Sequence, residues 1–179
     1  MLPTLKKHAI AGIIGLIFQV PWVVLEILKA AKKLSAGMLK FYYLLVIVEG
    51  LIYVYFIWGF KIIGDKTKNK LLSVSSILIL ISAVLLHISV FFNQKYTPLI
   101  NAIIGISMIV LMGALSIPFG IGLIRLKDKF GTLAKATGIL NIIAGVSFVT
   151  IILFFIGLLI FIPMAIMEVI LMFKAAEKL

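Results

Sequence analysis

The chain contains no cysteine and few charged residues. Without cysteine it can form no disulfides, no thiolate metal sites and no thiol nucleophile. Charged residues make up 13% of its 179 residues, where a soluble domain carries roughly a quarter, and only six residues are acidic. The sequence has no H-x-x-E-H, G-x-S-x-G, Walker A or paired-carboxylate motif. These absences leave little for hydrolytic chemistry, and we expect the protein not to be an enzyme.

Apolar residues dominate the composition instead of cysteine and charged residues. They make up 64% of the sequence, and the mean hydropathy is +1.29. Apolar runs of about 20 residues, the length that crosses a bilayer core, recur from end to end. The sequence therefore predicts an all-α polytopic membrane helix bundle of six helices in one transmembrane domain, 1–179. The predicted helices cover 9–29, 41–63, 71–92, 99–123, 137–155 and 157–174.

The last apolar stretch, residues 138–173, leaves two alternatives. As one helix it would be about 54 Å long, too long to cross a core of about 30 Å once. Either two helices meet at a turn near 154–159, or one span ends near Pro163 and a C-terminal interfacial helix follows. The first alternative gives six spans and the second gives five.

The distribution of basic residues favours six spans. The net charge is +11, and the basic residues concentrate in short loops. This indicates positive-inside topology and attraction to anionic lipid headgroups rather than nucleic-acid binding, and it places the N-terminus in the cytoplasm, in a multi-pass protein of the cell membrane. Only five of the 17 basic residues fall outside: Lys29, Lys32, Lys33, Lys40 and Lys95. Four of these lie in the first outer loop, against the rule, so a re-entrant first helix is an alternative.

Glu49 lies in the apolar stretch LLVIVEGLIYVYF, residues 44–56, near the middle of the second predicted helix. A carboxylate at this depth costs about 2.5 to 3.5 kcal/mol on insertion scales, so it needs a partner. Tyr53, four residues further along the same face, offers a hydrogen bond to a protonated Glu49. His87 on the third helix lies within about 4 to 5 Å of the same depth, and antiparallel neighbours joined by a short loop usually pack together.

A contact between Glu49 and His87 has two interpretations. It either fixes the register of two helices, or it forms a proton relay or cation site. Glu49, His87 and Tyr53 are therefore the candidate polar site within the membrane. The other histidine, His8, falls in the opposite half of the bundle from His87, so the two cannot share a haem, and we expect no cofactor and no metal site.

Other polar and small residues favour helix packing. Asn141 falls near a predicted span end, where an amide helps helices associate, and Glu26 is expected to pair locally with Lys29. Glu168 lies deep only if the last helix spans the membrane. Small residues on the first and third predicted helices are expected to serve close packing: Ala9, Gly12, Gly15, Ser73, Ser75, Ser76 and Ser82.

Two segments of the chain are similar to each other. GFKIIGDK at 59–66 and GLIRLKDK at 122–129 share a glycine and an Asp-Lys pair at the same spacing, and an apolar helix follows each. This similarity predicts a duplicated helix-loop-helix unit. Such a unit is either a repeated packing element or the two-fold frame of a transporter.

The style of the chain resembles that of a broad group of proteins. Short basic turns such as GDKTKNK and LKDKFG, the lack of cysteine and the ending EVILMFKAAEKL resemble small uncharacterised multi-pass membrane proteins of archaeal type. This resemblance implies a prokaryotic cell membrane. It carries no functional residues with it.

Two functional hypotheses follow from the sequence. Minimal loops, small-residue faces and missing chemistry favour a non-catalytic integral membrane protein, a small subunit or scaffold whose partners are other membrane proteins or copies of itself. The alternative is a small ion- or proton-coupled transporter or channel that uses Glu49 and His87.

Overall fold

A computed structural model describes residues 3–31, 33–92, 97–150 and 152–179. Within these residues, six helices are long and apolar enough to cross a bilayer, which confirms the predicted all-α membrane bundle. The long helices are α1 (Pro3–Ala30), α2 (Ala36–Lys66), α3 (Lys70–Phe92), α4 (Pro98–Ile124), α6 (Thr132–Val149) and α7 (Phe154–Lys178). A short helix that the sequence did not predict, α5 (Lys127–Phe130), lies between α4 and α6. Lys32 and Lys95, two of the predicted outer basic residues, lie outside the described residues.

The six long helices form a closed ring. Each packs against the long helices before and after it in the sequence, and α1 also packs against α7. Successive helices run in opposite directions, so α1, α3 and α6 begin on one face of the ring, which we call the N-terminal side. On this face the Asn69 amide, at the start of α3, donates to the Gly122 carbonyl near the end of α4 at 2.7 Å. The other face is the opposite side.

The ring decides between the alternatives for the first and last helices. Helix α7 packs between α6 and α1, so it is a sixth span and not an interfacial helix. Helix α1 is one continuous helix of 28 residues that passes through Pro21 and packs along α2 and α7. The described residues therefore contain six candidate spans, as the preferred alternative predicts, and α1 is one of them.

The turn between α6 and α7 lies earlier than predicted. Helix α6 covers Thr132–Val149 instead of 137–155, and the stretch 154–159, expected to be a turn, is the start of α7. The Thr150 hydroxyl donates to the carbonyls of Val146 and Ser147, at 3.0 and 3.2 Å, and so helps to satisfy carbonyl groups in the last turn of α6. Helix α7 continues through Pro163.

The two similar segments differ in backbone structure. Residues 59–66 are helical to the end of α2, whereas residues 122–129 include the end of α4, a break after Ile124 and most of α5. Each segment nevertheless connects two antiparallel neighbours, α2 with α3 and α4 with α6. The likeness is therefore one of position in the chain and not of local geometry.

Hydrophobic burial is concentrated on the N-terminal side. One buried cluster, which we call the N-terminal core, contains side chains from all seven helices: Leu5, Ala9, Phe56, Ile57, Phe60, Ile63, Leu72, Ile79, Leu80, Phe119, Leu123, Leu126, Phe130, Ala134, Val169, Leu171, Met172, Ala175 and Ala176. Towards the opposite side, the buried cluster is Leu25, Tyr42 and Val46, from α1 and α2 alone. No residue of 13–24 in α1 or of 99–112 in α4 is buried. Side chains thus seal one half of the ring and pack loosely in the other.

Glycines set the contact between α4 and α6. A Cβ atom on Gly120 would lie 2.5 Å from the carbonyl oxygen of Gly138, and one on Gly113 would lie 2.9 Å from that of Gly145. Both pairs are backbone against backbone, so no side-chain movement relieves the clash. The two helices approach as closely as they do because these positions have no side chain.

Small residues on α1 and α3 are also packed inside the ring. Ala9, Ser75, Ser76 and Ser82 are buried, and the Ser76 hydroxyl donates to the Leu72 carbonyl at 2.7 Å. A serine that bonds its own helix in this way presents a small, satisfied surface to its neighbours.

Candidate functional site

A cavity of about 110 Å³ lies inside the ring, near the middle of the helices. All six long helices contribute to its wall. Most of the lining is apolar, and the polar side chains on it are Gln19, Glu49, Tyr53, Ser116, Asn141 and Glu168. The cavity therefore collects the two acidic residues that lie deepest in the bundle.

Glu49 and His87 are in direct contact across the α2–α3 interface. The distance between Glu49 Oε2 and His87 Nε2 is 2.6 Å, and His87 Nδ1 lies 2.7 Å from the Ala83 carbonyl oxygen. A carbonyl oxygen only accepts, so Nδ1 carries a hydrogen and donates it. One further proton must lie between Nε2 and Oε2, because two lone pairs would repel at that distance. Whichever atom holds this proton, the pair as a whole is neutral, which suits a membrane interior.

Gly50 makes room for the His87 ring. A Cβ atom at position 50 would lie 2.7 Å from His87 Cδ2. The imidazole therefore packs directly on the backbone of α2, next to the residue that it bonds. Gly50 could have been found from the sequence, because a glycine directly after a mid-membrane acid allows a neighbouring helix to approach closely.

We expect Gly50→Ala to displace His87 and to weaken the Glu49–His87 contact. The added methyl group overlaps the ring, and the strain and lost hydrogen bond together should cost about 1 to 3 kcal/mol of unfolding free energy. Gly37→Ala, on the same helix, is the matched control, because a Cβ atom there meets nothing within 4 Å. Unfolding of both variants in mixed detergent measures the difference. Equal stability of the two would contradict the packing of His87 on Gly50.

Tyr53 lines the cavity but does not bond Glu49. Within the described part of the chain its hydroxyl makes no hydrogen bond, so the predicted link between Tyr53 and Glu49 is absent. Glu49 is hydrogen-bonded to His87 of the neighbouring helix instead of to a residue of its own helix. Tyr53 thus places a hydroxyl group on the cavity wall.

Glu168 and Asn141 form a second polar contact, which the sequence analysis missed. Asn141 Nδ2 donates to Glu168 Oε1 at 2.8 Å and to the Thr137 carbonyl at 3.0 Å. The Glu168 side chain is buried, with 6% of its surface exposed. Asn141 had been expected near a span end, but α6 begins at Thr132, so this amide lies in the middle of its helix.

The remaining sequence-predicted polar residues lie away from the cavity. Glu26 pairs with Lys29, 3.8 Å away, as predicted, and accepts a hydrogen bond from the Tyr42 hydroxyl of α2. His8 is buried near the N-terminal side, where its Nδ1 lies 2.6 Å from the Tyr55 carbonyl oxygen. It contributes to packing and is not brought near His87.

The ring of six long apolar helices defines the class of the protein, a multi-pass helical membrane protein. In residues 3–31, 33–92, 97–150 and 152–179, no group of three or more His, Asp or Glu side chains is placed to hold a metal ion. Comparison with protein-family models, with curated proteins and with solved structures gave no match. The function is therefore argued from the geometry of the cavity itself.

Proposed function

We propose that the protein is a small proton-coupled transporter in which Glu49 and His87 handle the proton. The observation that supports this most is the cavity, to which every spanning helix contributes and which contains Glu49 and Glu168. A scaffold needs no such space, and burying two carboxyl groups without a function would only cost stability. The proposal includes no catalysis.

The Glu49–His87 pair suits proton transfer for a physical reason. Its shared proton lies in a 2.6 Å contact, and moving it from nitrogen to oxygen leaves the pair neutral. Loss or gain of one proton, in contrast, charges the pair and so favours a different arrangement of the helices around it. The dense N-terminal core favours a transporter over an open channel, since it closes the ring on one side.

Proton flux in liposomes tests this proposal. With the full chain reconstituted, a pH gradient should drive a change in internal pH that a dye reports, and Glu49→Gln should reduce the rate to that of empty liposomes. Glu26→Gln is the matched control, because Glu26 lies at the end of α1, outside the cavity wall, and should retain the flux. Equal flux in wild type and Glu49→Gln, or none in wild type across a range of salts and pH gradients, would refute the proposal.

The non-catalytic subunit is the second candidate, and one observation favours it. Residues 99–112 of α4 include no buried position, and Gly105 has open space where its side chain would be. A partner helix, from another protein or a second copy, would fit this surface. Native mass measurement in mild detergent tests it, because a lone monomer of 19.7 kDa would exclude a stable assembly.

The cellular setting is part of the same proposal. Positive-inside topology supports a cell membrane with the N-terminal side in the cytoplasm, facing anionic headgroups. Described basic residues on that side include Lys66, Lys68, Lys70, Arg125 and Lys127.

A further inference from the structure

The two carboxyl groups of the cavity are not equivalent. Glu49 is paired with His87, a group that carries positive charge when protonated. Within the described residues, no lysine, arginine or histidine nitrogen lies within 4.0 Å of the Glu168 carboxyl group. Any cation that pairs with Glu168 must therefore come from outside the chain.

Glu168 also has a free oxygen on the cavity. Asn141 bonds Oε1, and among the described residues Oε2 has no hydrogen-bond partner, although the side chain is 6% exposed and lines the cavity. This oxygen is therefore accessible from the cavity, where a ligand that donates a hydrogen bond or brings a positive charge would pair with it. The Asn141 amide holds the carboxyl group in place for that contact.

Aromatic rings make up much of the remaining wall. Phe56, Phe119, Phe148 and Phe161 line the cavity together with Tyr53. Ring faces attract weakly hydrated cations with alkyl groups, and Trp, Tyr and Phe are the usual lining of sites for methylated ammonium ions. A small inorganic cation instead needs several oxygen ligands to replace its water, whereas most of this wall is apolar.

The size of the cavity sets the size of the ligand. A volume of about 110 Å³ has room for a ligand of a few non-hydrogen atoms. This fits an ammonium ion whose only carbon substituents are methyl groups.

We propose that the cavity binds a small alkylammonium ion at Glu168, and that this ion replaces the proton which Glu168 holds when the cavity is empty. The reaction balances as one carboxylic acid plus one ammonium ion giving one carboxylate–ammonium pair and one proton, which leaves with the cavity water. Transport of the ion rests on the proposed function, because it needs the proton pathway of Glu49 and His87. Binding does not need that pathway.

Calorimetry of the purified full chain tests the binding. We titrate methylammonium, tetramethylammonium, sodium and potassium chlorides in two buffers that differ in ionisation heat, which reports the proton released. The alkylammonium ions should bind with release of about one proton, and Glu168→Gln should weaken binding about ten-fold or more and abolish the release. Glu26→Gln is the control and should bind as wild type does.

A second variant distinguishes the contribution of the aromatic wall to binding from that of the Glu168 carboxyl group. Phe161→Leu retains Glu168 and removes one ring, and it should weaken tetramethylammonium several-fold with proton release retained. Binding of sodium or potassium without alkylammonium binding would overturn the inference, as would unchanged affinity in Glu168→Gln. Binding without proton flux in liposomes would support the ligand site and refute the transporter. Proton flux without binding would support the transporter and refute the ligand site.

Discussion

Gly120→Leu is expected to prevent α4 and α6 from packing and so to leave little folded protein. A Cβ atom at position 120 already lies 2.5 Å from the Gly138 carbonyl oxygen, and three further carbons cannot be placed without separating the helices. Overpacking usually costs about 1 to 3 kcal/mol, and a clash with the backbone of a closely packed neighbouring helix is expected to cost at least the upper end of that range. The effect is measured as the amount of folded protein recovered in detergent and as its unfolding midpoint.

Gly105→Leu is the matched control on the same helix. A Cβ atom at position 105 meets nothing within 4 Å, so the new side chain faces open space. Leucine is also the better helix former, by nearly 1 kcal/mol on propensity scales, and Gly105→Leu should therefore fold as well as wild type. If both variants were equally stable, the glycine contacts between α4 and α6 would not matter for the fold.

Ser116→Cys is expected to react with a membrane-impermeant thiol reagent much faster from the opposite side of the bilayer than from the N-terminal side. Ser116 lines the cavity, and the N-terminal core separates the cavity from the N-terminal side. Towards the opposite side the helices pack loosely, since no residue of 13–24 in α1 or of 99–112 in α4 is buried. Reaction from the N-terminal side needs the core to open and should be at least about ten-fold slower.

The chain is well suited to this measurement because it has no native cysteine. Ala134→Cys provides the control, as Ala134 is fully buried in the N-terminal core and the substitution is small. It should stay unlabelled from either side. Faster labelling of Ser116→Cys from the N-terminal side would show that the cavity opens there and that the core is not its seal.

The six spans could be predicted because apolar runs of bilayer length need no tertiary information. The end of α6 could not, because the residues around Thr150 are as apolar as the helices on either side and include no glycine or proline that would mark a turn. The start of α6 was placed late because Lys135 suggested a loop. It lies exposed in the first turn, on the N-terminal side.

The candidate site was predictable only in part. The contact of Glu49 with His87 followed from equal depth on adjacent helices, and the structure contains it. The predicted hydrogen bond between Tyr53 and Glu49 is absent. Spacing along one helix shows which residues share a face, but it does not show that a residue of a neighbouring helix, here His87, will be the partner instead. The Asn141 contact with Glu168 was hidden by the late start assigned to α6, although both side chains are polar and lie within two helices joined by a short turn.

The hydrogen bonds of the acidic residues have a consequence for how the protein enters the membrane. Three acids bond a residue on the helix next to their own in the sequence: Glu26 with Tyr42, Glu49 with His87, and Glu168 with Asn141. Two helices inserted together as a hairpin therefore bring the acid and its partner into lipid already bonded. None of these acids depends for its hydrogen bond on a helix that is synthesised much later. Packing of α7 on α1 then closes the ring.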